Sequence, residues 1–115
     1  MISFSNLSYI IIQIAQSYVL LFSEWKLVEE KTECSGSEIN KGKFETVEEC
    51  ASECKGESSM FAFGTNDFGK KRCYDEGCKC LCETSASDKG RCDTVDHDGY
   101  RLFKYSKGDY NIFFK

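Results

Sequence analysis

The stretch FETVEECASECKG, residues 44–56, decides the fold because it predicts a short helix with two cysteines on one face. Thr46 stands three residues before Glu49, which is the spacing of a capping box, and the stretch closes on a glycine, a common helix stop. Apolar residues recur at helical spacing, so Cys50 and Cys54 lie one turn apart on the same side. We expect this helix to be joined to another element through its sulfur atoms.

The run CKCLC, residues 78–82, is the natural partner for that helix. Alternate residues of a strand point to one face, so the three sulfurs are expected to share a side. A strand with three cysteines facing a helix with two forms a core in which sulfur replaces Leu and Phe. The disulfide connectivity stays open, because sequence alone does not separate the possible pairings of eight cysteines.

An even number of cysteines in a small domain predicts a disulfide framework in an oxidising compartment. The eight positions are Cys34, Cys50, Cys54, Cys73, Cys78, Cys80, Cys82 and Cys92. Closely spaced cysteines also bind zinc or copper in reducing compartments. The chain has no Cys-x-x-Cys pair and a single histidine, so we predict disulfides and neither a metal nor a cofactor.

Residues 1–23 carry no charge, and an apolar run fills most of them. A charge-free apolar opening before a polar body predicts a secretory signal peptide, and thus a secreted, extracellular protein. The alternatives are an uncleaved anchor, which would place the protein at the cell surface, and a misassigned start or buried helix. A membrane is a partner only if this segment is retained.

The remaining pattern predicts an α+β fold, a small disulfide-rich domain in which one short helix packs on an antiparallel sheet. The domain spans residues 24–105, and residues 106–115 form a C-terminal tail, read as an edge strand or a frayed end. Residues 72–74 are expected to form a hairpin with the strand at 60–63. The predicted strands are 25–28, 60–63, 72–74 and 100–105.

The charge balance argues against a nucleic-acid partner, since 19 acidic residues outnumber 15 basic ones. His97, the single histidine, is expected in a solvated turn over residues 96–99. No set of nucleophile, base and orienting group can be proposed around it, so we predict no catalytic residue and no enzyme.

The loop over residues 64–71, with Arg72 beside it, is the predicted ligand contact, because loops on a rigid scaffold commonly carry recognition. Phe68 would offer an exposed ring. Lys70, Lys71 and Arg72 would form a patch for an anionic ligand, and the alternative is a solvated hairpin.

Several segments together resemble the PAN/apple-like domains of secreted and cell-surface proteins, in a cysteine-dense variant. They are KGKFETVEECASEC (41–54), FAFG (61–64), RCY (72–74), GCKCLCE (77–83) and GYRLFKY (99–105). The chain departs from that group at residues 58–60, where a further cysteine is common and Ser-Ser-Met stands instead. The resemblance implies that one bridge of the group is rerouted, into the cluster at 78–82.

The resemblance also implies a non-catalytic binding module for an extracellular protein or carbohydrate. An alternative from another class is a small secreted cysteine-rich effector, such as a toxin or a defence peptide. Effectors that act on membranes or channels are usually more basic than this acidic chain. A third alternative is a surface-anchored structural protein, if the first segment is not removed.

Overall fold

The computed structural model describes residues 25–106 of the chain. The predicted signal peptide at 1–23 lies outside the described residues, and so does the predicted tail apart from Ser106. Within the described range the elements are β1 (Trp25–Cys34), β2 (Ile39–Phe44), α1 (Val47–Cys54), β3 (Met60–Gly64), β4 (Cys73–Tyr74), β5 (Gly77–Cys82) and β6 (Thr94–Tyr105).

The strands form one antiparallel sheet in the order β1-β6-β3-β5-β2, with the short β4 paired to β5. With one eight-residue helix and this sheet, residues 25–106 form a small disulfide-rich α+β domain, as the sequence predicted. The predicted strand at 25–28 continues to Cys34. The sequence did not predict β2, because its residues INKGKF are mostly exposed at the sheet edge and show no apolar alternation.

The predicted helix and its capping box are confirmed. The Thr46 hydroxyl accepts a hydrogen bond from the Glu49 amide at 3.2 Å, and the Glu49 carboxylate accepts one from the Thr46 amide at 3.2 Å. These reciprocal bonds satisfy amides that the first turn of a helix leaves unpaired. At the other end the chain leaves the helix after Cys54, and Gly56 takes a positive φ of 86°.

Two disulfides join the helix to β5, and they confirm the expected contact between helix and cysteine strand. Cys50 pairs with Cys80 and Cys54 pairs with Cys82. The strand register places the three cysteines of β5 on the face towards the helix, as alternation predicted. The third of them, Cys78, bonds to Cys73 on β4 rather than to the helix.

The fourth disulfide joins Cys34 at the end of β1 to Cys92 in the segment before β6. All eight cysteines are therefore paired, as the even count predicted. Such a density of disulfides suggests an extracellular or secreted location, because reducing compartments keep thiols unpaired.

The expected hairpin between residues 72–74 and the strand at 60–63 is wrong. Cys73 pairs in register with Cys78, and Tyr74 pairs with Gly77, so β4 forms its hairpin with β5. Only two residues separate Tyr74 from Gly77, and a turn this short brings the two strands together directly. The neighbours of β3 are instead β5 and β6.

Aromatic rings fill the space between the sheet and α1. Phe61, fully buried at the centre, stacks on Phe103 with ring centroids 5.1 Å apart. Trp25 meets Phe103 edge-on at 5.6 Å, and Tyr105 lies 5.3 Å from Phe61. The Tyr105 hydroxyl donates to the Ala51 carbonyl oxygen, which ties the last strand to the helix. Edge-on and stacked pairs add to the free energy gained by burying the rings.

The opposite face of the sheet is covered by the end of β1 and by the segment that carries Cys92. Met60 and Leu102 pack there against the Cys34–Cys92 bridge. Ala62, Leu81 and Tyr100 form a second buried group.

Strands β1 and β6 pair across a large irregularity. The register runs from Glu30 opposite Arg101 to Thr32 opposite Asp96, so Lys31 and residues 97–100 are left out of the pairing between β1 and β6. Lys31 adopts a φ of 56°, a region that side chains other than glycine rarely occupy. The predicted solvated turn at 96–99 is thus wrong, since these residues belong to β6, where the bulge bends the strand.

Candidate ligand-binding site

The loop between β3 and β4 is held in a fixed shape by hydrogen bonds to its own side chains. The Asn66 side-chain oxygen accepts from the amides of Arg72 and Cys73, at 2.8 and 2.9 Å, and its nitrogen donates to the Cys73 carbonyl at 3.1 Å. Thr65 donates its amide to the Gly99 carbonyl of β6 at 2.8 Å. These hydrogen bonds fix the backbone of the loop, and with it the positions from which its side chains extend.

A cleft of about 430 Å³ opens between the first half of this loop and the beginning of α1. Its apolar wall comes from Val47, Phe63 and Phe103, and the Cys73–Cys78 disulfide borders it. The volume lies within the range of pockets that bind small ligands, and an apolar wall with a few polar groups is their usual lining.

The polar rim of the cleft is organised around Arg101. Its guanidinium donates to the Asp67 carboxylate at 2.6 Å, to the Thr65 hydroxyl at 3.2 Å and to the Glu30 carboxylate at 3.4 Å. The hydrogen bond from Arg101 holds the pKa of Asp67 below its ordinary value, so this carboxyl is charged at neutral pH. A ligand in the cleft meets fixed donors and acceptors beside aromatic carbon.

Phe68, predicted to offer an exposed ring, is half-buried. The Arg101 guanidinium lies 5.0 Å from its ring centroid and the Lys31 ammonium lies 5.1 Å away. These distances allow cation–π contacts from both side chains. The Phe68 ring thus contacts the cationic groups at the rim of the cleft, and it is less exposed than the sequence predicted.

The predicted basic patch is divided among different aromatic rings. The Lys71 ammonium lies 5.1 Å from the Tyr74 ring, where Lys43 approaches at 4.6 Å. Arg72 instead lies over Tyr100, with its guanidinium carbon 5.8 Å from the ring centroid. Lys70 is exposed at the loop tip. Lys71 and Arg72 therefore contact different rings, and binding of an anionic ligand by Lys70, Lys71 and Arg72 stays a prediction.

The sequence reasoning missed Arg101, Asp67 and the contribution of Val47. For Arg101 a signal was available, because strand alternation puts it on the same face as Phe103 and Tyr105. A charged residue on an otherwise apolar face indicates a polar function or a buried partner. Val47 gave no such signal, since its apolar character was already explained by the helix face.

The structure also locates a group of potential metal ligands among residues 25–106. The sulfur atoms of Cys50, Cys54 and Cys80 lie within 4.8 Å of one another in the core. Each of them belongs to a disulfide, so none offers the thiolate that zinc or copper requires. The cluster is a structural core of two adjacent bridges.

Comparison of the chain with family models, with curated proteins and with solved structures finds no match. In the part of the chain that the structure describes, no helix has the length and apolar character needed to cross a bilayer.

Proposed function

We propose that this protein is a secreted, non-catalytic binding module of PAN/apple-like type that recognises an extracellular protein or carbohydrate. The observation that carries the proposal is the cleft beside α1, with its apolar wall and its rim of ion-paired polar groups. The cleft lies on a scaffold held by four disulfides, and such scaffolds are typical of extracellular proteins.

The chemistry of the rim supports binding without catalysis. The Arg101 guanidinium is held between two carboxylates, and its partner Asp67 is charged. Groups neutralised in this way are suited to hydrogen-bonding a ligand, whereas catalysis needs a nucleophile or base with an adjusted pKa beside the reacting atom. The apolar wall adds shape and contact area.

The experiment is a binding screen of the oxidised full chain on glycan and extracellular-protein arrays, with a reduced and alkylated sample beside it. Binding is expected only for the oxidised sample. Val47→Lys places a long charged side chain at the cleft wall and is expected to weaken binding at least about tenfold. Val95→Lys is the matched control, because Val95 is an exposed residue of β6 outside the cleft lining.

The outcomes separate the alternatives. Equal loss of binding in both variants would contradict the assignment to the cleft. Absence of fold-dependent binding on both arrays would contradict the binding-module proposal and favour the alternative of a small secreted effector.

A further inference from the structure

On the face of the sheet away from α1, the side chains of Arg72 and His97 bring two nitrogen atoms close together. Arg72 Nη2 lies 3.4 Å from His97 Nε2. The other ring nitrogen of His97, Nδ1, accepts a hydrogen bond from the Gly99 amide at 2.9 Å. A ring nitrogen that accepts carries no proton, so the proton of the neutral imidazole is on Nε2. Arg72 Nη2 and His97 Nε2 are then both donors, so neither nitrogen accepts from the other.

The neutral ring is also the favoured form. Burial lowers the pKa of His97, and the positive charges of Arg72 and Lys70 lower it further, against the opposing effects of Asp98 and of a hydrogen bond to the backbone of His97 itself. Protonation would not resolve the contact, because the imidazolium still carries a proton on Nε2. In both states Nε2 is a donor and does not accept from Arg72.

The two donors are held in place by their surroundings. The His97 ring meets the buried Tyr100 ring edge-on at 4.8 Å, and the Arg72 guanidinium lies over the same ring. Gly99 allows this approach, since a Cβ there would lie 2.5 Å from Arg72 Cγ and 3.0 Å from His97 Cε1. The backbone of Arg72 is fixed by Asn66.

We infer that Arg72 and His97 bind one carboxylate group of an acidic sugar, whose two oxygens accept from Arg72 Nη2 and His97 Nε2. This inference rests on the proposed binding function and names a ligand group for it. A carboxylate oxygen forms short, charge-assisted bonds to a guanidinium, and the imidazole N–H adds a second donor. Lys70, exposed on the same loop, adds positive charge towards the ligand.

The charged neighbours favour a ligand with a single anionic group. Asp98 lies near His97, Glu33 lies near both Arg72 and Tyr100, and Glu38 acts on Glu33 and Tyr100. Carboxylates so placed repel a polyanion, while they accept hydrogen bonds from hydroxyl groups. A sugar acid has one carboxylate surrounded by hydroxyls, whereas the carboxylate of a peptide terminus has a single N–H beside it.

Because His97 is the single histidine of the chain, its ring NMR signals report on this site alone. The full oxidised chain is titrated with glucuronate and, in parallel, with the neutral methyl ester of glucuronic acid. At saturation with glucuronate we expect the pKa of His97 to rise, because a bound anion favours the imidazolium form. By linkage, glucuronate binds more tightly as the pH falls through that pKa. The ester is expected to leave the pKa unchanged.

Arg72→Gln is expected to weaken glucuronate binding at least about tenfold. Arg91→Gln is the matched control, since Arg91 is an exposed arginine with no side-chain partner among the described residues. Lys70→Gln, at an exposed loop position, tests the site without a risk to folding and is expected to reduce affinity about twofold.

An equal His97 response to the ester, or full binding by Arg72→Gln, would overturn the inference. A stronger response to a heparin hexasaccharide or to N-acetylglycine would also overturn it, by assigning the site to a polyanion or to a peptide carboxylate. Array binding without a His97 response contradicts this inference alone. A His97 response without array binding contradicts the proposed function and leaves the Arg72 site as a site for a small carboxylate.

Discussion

The two faces of the sheet are filled in different ways. On the side of α1, rings and sulfur atoms form a core in which Phe61, Cys50 and Cys54 are wholly excluded from solvent. On the other side, the wholly buried residues include the carboxyl of Glu83, and Arg72 and His97 lie over Tyr100. The difference separates two tasks, because the first face provides stability and the second places polar groups at defined positions.

The first test measures how much stability the disulfides on the side of α1 provide, by comparing the two bridges to the helix with the bridge inside the β4–β5 hairpin. The helix bridges close loops with sequence separations of 30 and 28, whereas Cys73–Cys78 has a separation of 5. Replacing all four helix-bridge cysteines by Ala is expected to lower the free energy of unfolding by about 4 kcal/mol or more, and replacing the hairpin pair by about 2 kcal/mol.

The free energies are measured by urea unfolding at 25 °C, with the unsubstituted chain as reference. The difference has two causes: two bridges are removed against one, and each bridge to α1 closes a longer loop and so restricts the unfolded chain more. Equal losses for the two sets of substitutions would contradict the view that the bridges to α1 stabilise the domain more than the bridge inside the β4–β5 hairpin does.

A second test addresses the buried carboxyl on the other face. Glu83 Oε2 accepts a hydrogen bond from the Cys34 amide at 2.5 Å, while Oε1 has no hydrogen-bond partner within the described residues. Burial, with the nearby Glu38 carboxyl, raises the pKa of Glu83 to about 8. The folded state thus holds a proton that the unfolded chain releases near its ordinary pKa of 4.5.

The sign of the pH dependence follows from that difference. The contribution of Glu83 to stability is complete below pH 4.5 and is lost as the pH rises through about 8. Glu83→Gln imitates the protonated carboxyl, so we expect this variant to match the parent chain near pH 4 and to be increasingly more stable than it towards pH 9. Thermal unfolding at a series of pH values measures the difference.

The control for this test is Glu53→Gln, at an exposed position of α1. It is expected to keep the parental pH dependence between pH 5 and 9. If Glu83→Gln instead retained the parental slope, Glu83 would be ionised in the folded protein, and the second face would not hold a neutral carboxyl.

The smallest expected effect is on the side of α1, at the residue that caps the helix. Thr46→Ala removes the hydroxyl that caps the helix and is expected to cost about 1 kcal/mol of unfolding free energy. Thr46→Ser keeps a hydroxyl and should restore most of it. Thr94→Ala, at the exposed start of β6, serves as the control, and all three are compared by urea unfolding. A loss from Thr94→Ala as large as that from Thr46→Ala would show that the cap contributes nothing specific.

Local interactions explain which parts of this fold were predictable from sequence. The helix was predicted because its cap, its apolar periodicity and its glycine stop all lie within thirteen consecutive residues. The common face of the β5 cysteines followed from strand alternation. The edge strand β2 was missed because exposure of most of its residues leaves no apolar pattern to read.

The candidate site was less predictable, since its residues meet only in three dimensions. The loop between β3 and β4 was expected to carry recognition, but its side chains divide between two faces of the sheet. Arg101 and His97, which complete the cleft and the Arg72 site, are on β6, roughly thirty residues further along the chain. The register between β3 and β6 and the bulge near Lys31 decide which residues Arg101 and His97 contact.

By itself the sequence determined the helix, the facing sets of cysteines and the α+β class, because these depend on spacing along the chain. Only the tertiary structure decided which sulfur atoms pair, that β4 joins β5, and that a buried carboxyl faces the Cys34 amide. The physical reason is that pairing and burial depend on strand order and register. These are set by packing over the whole domain, and local pattern constrains them only weakly.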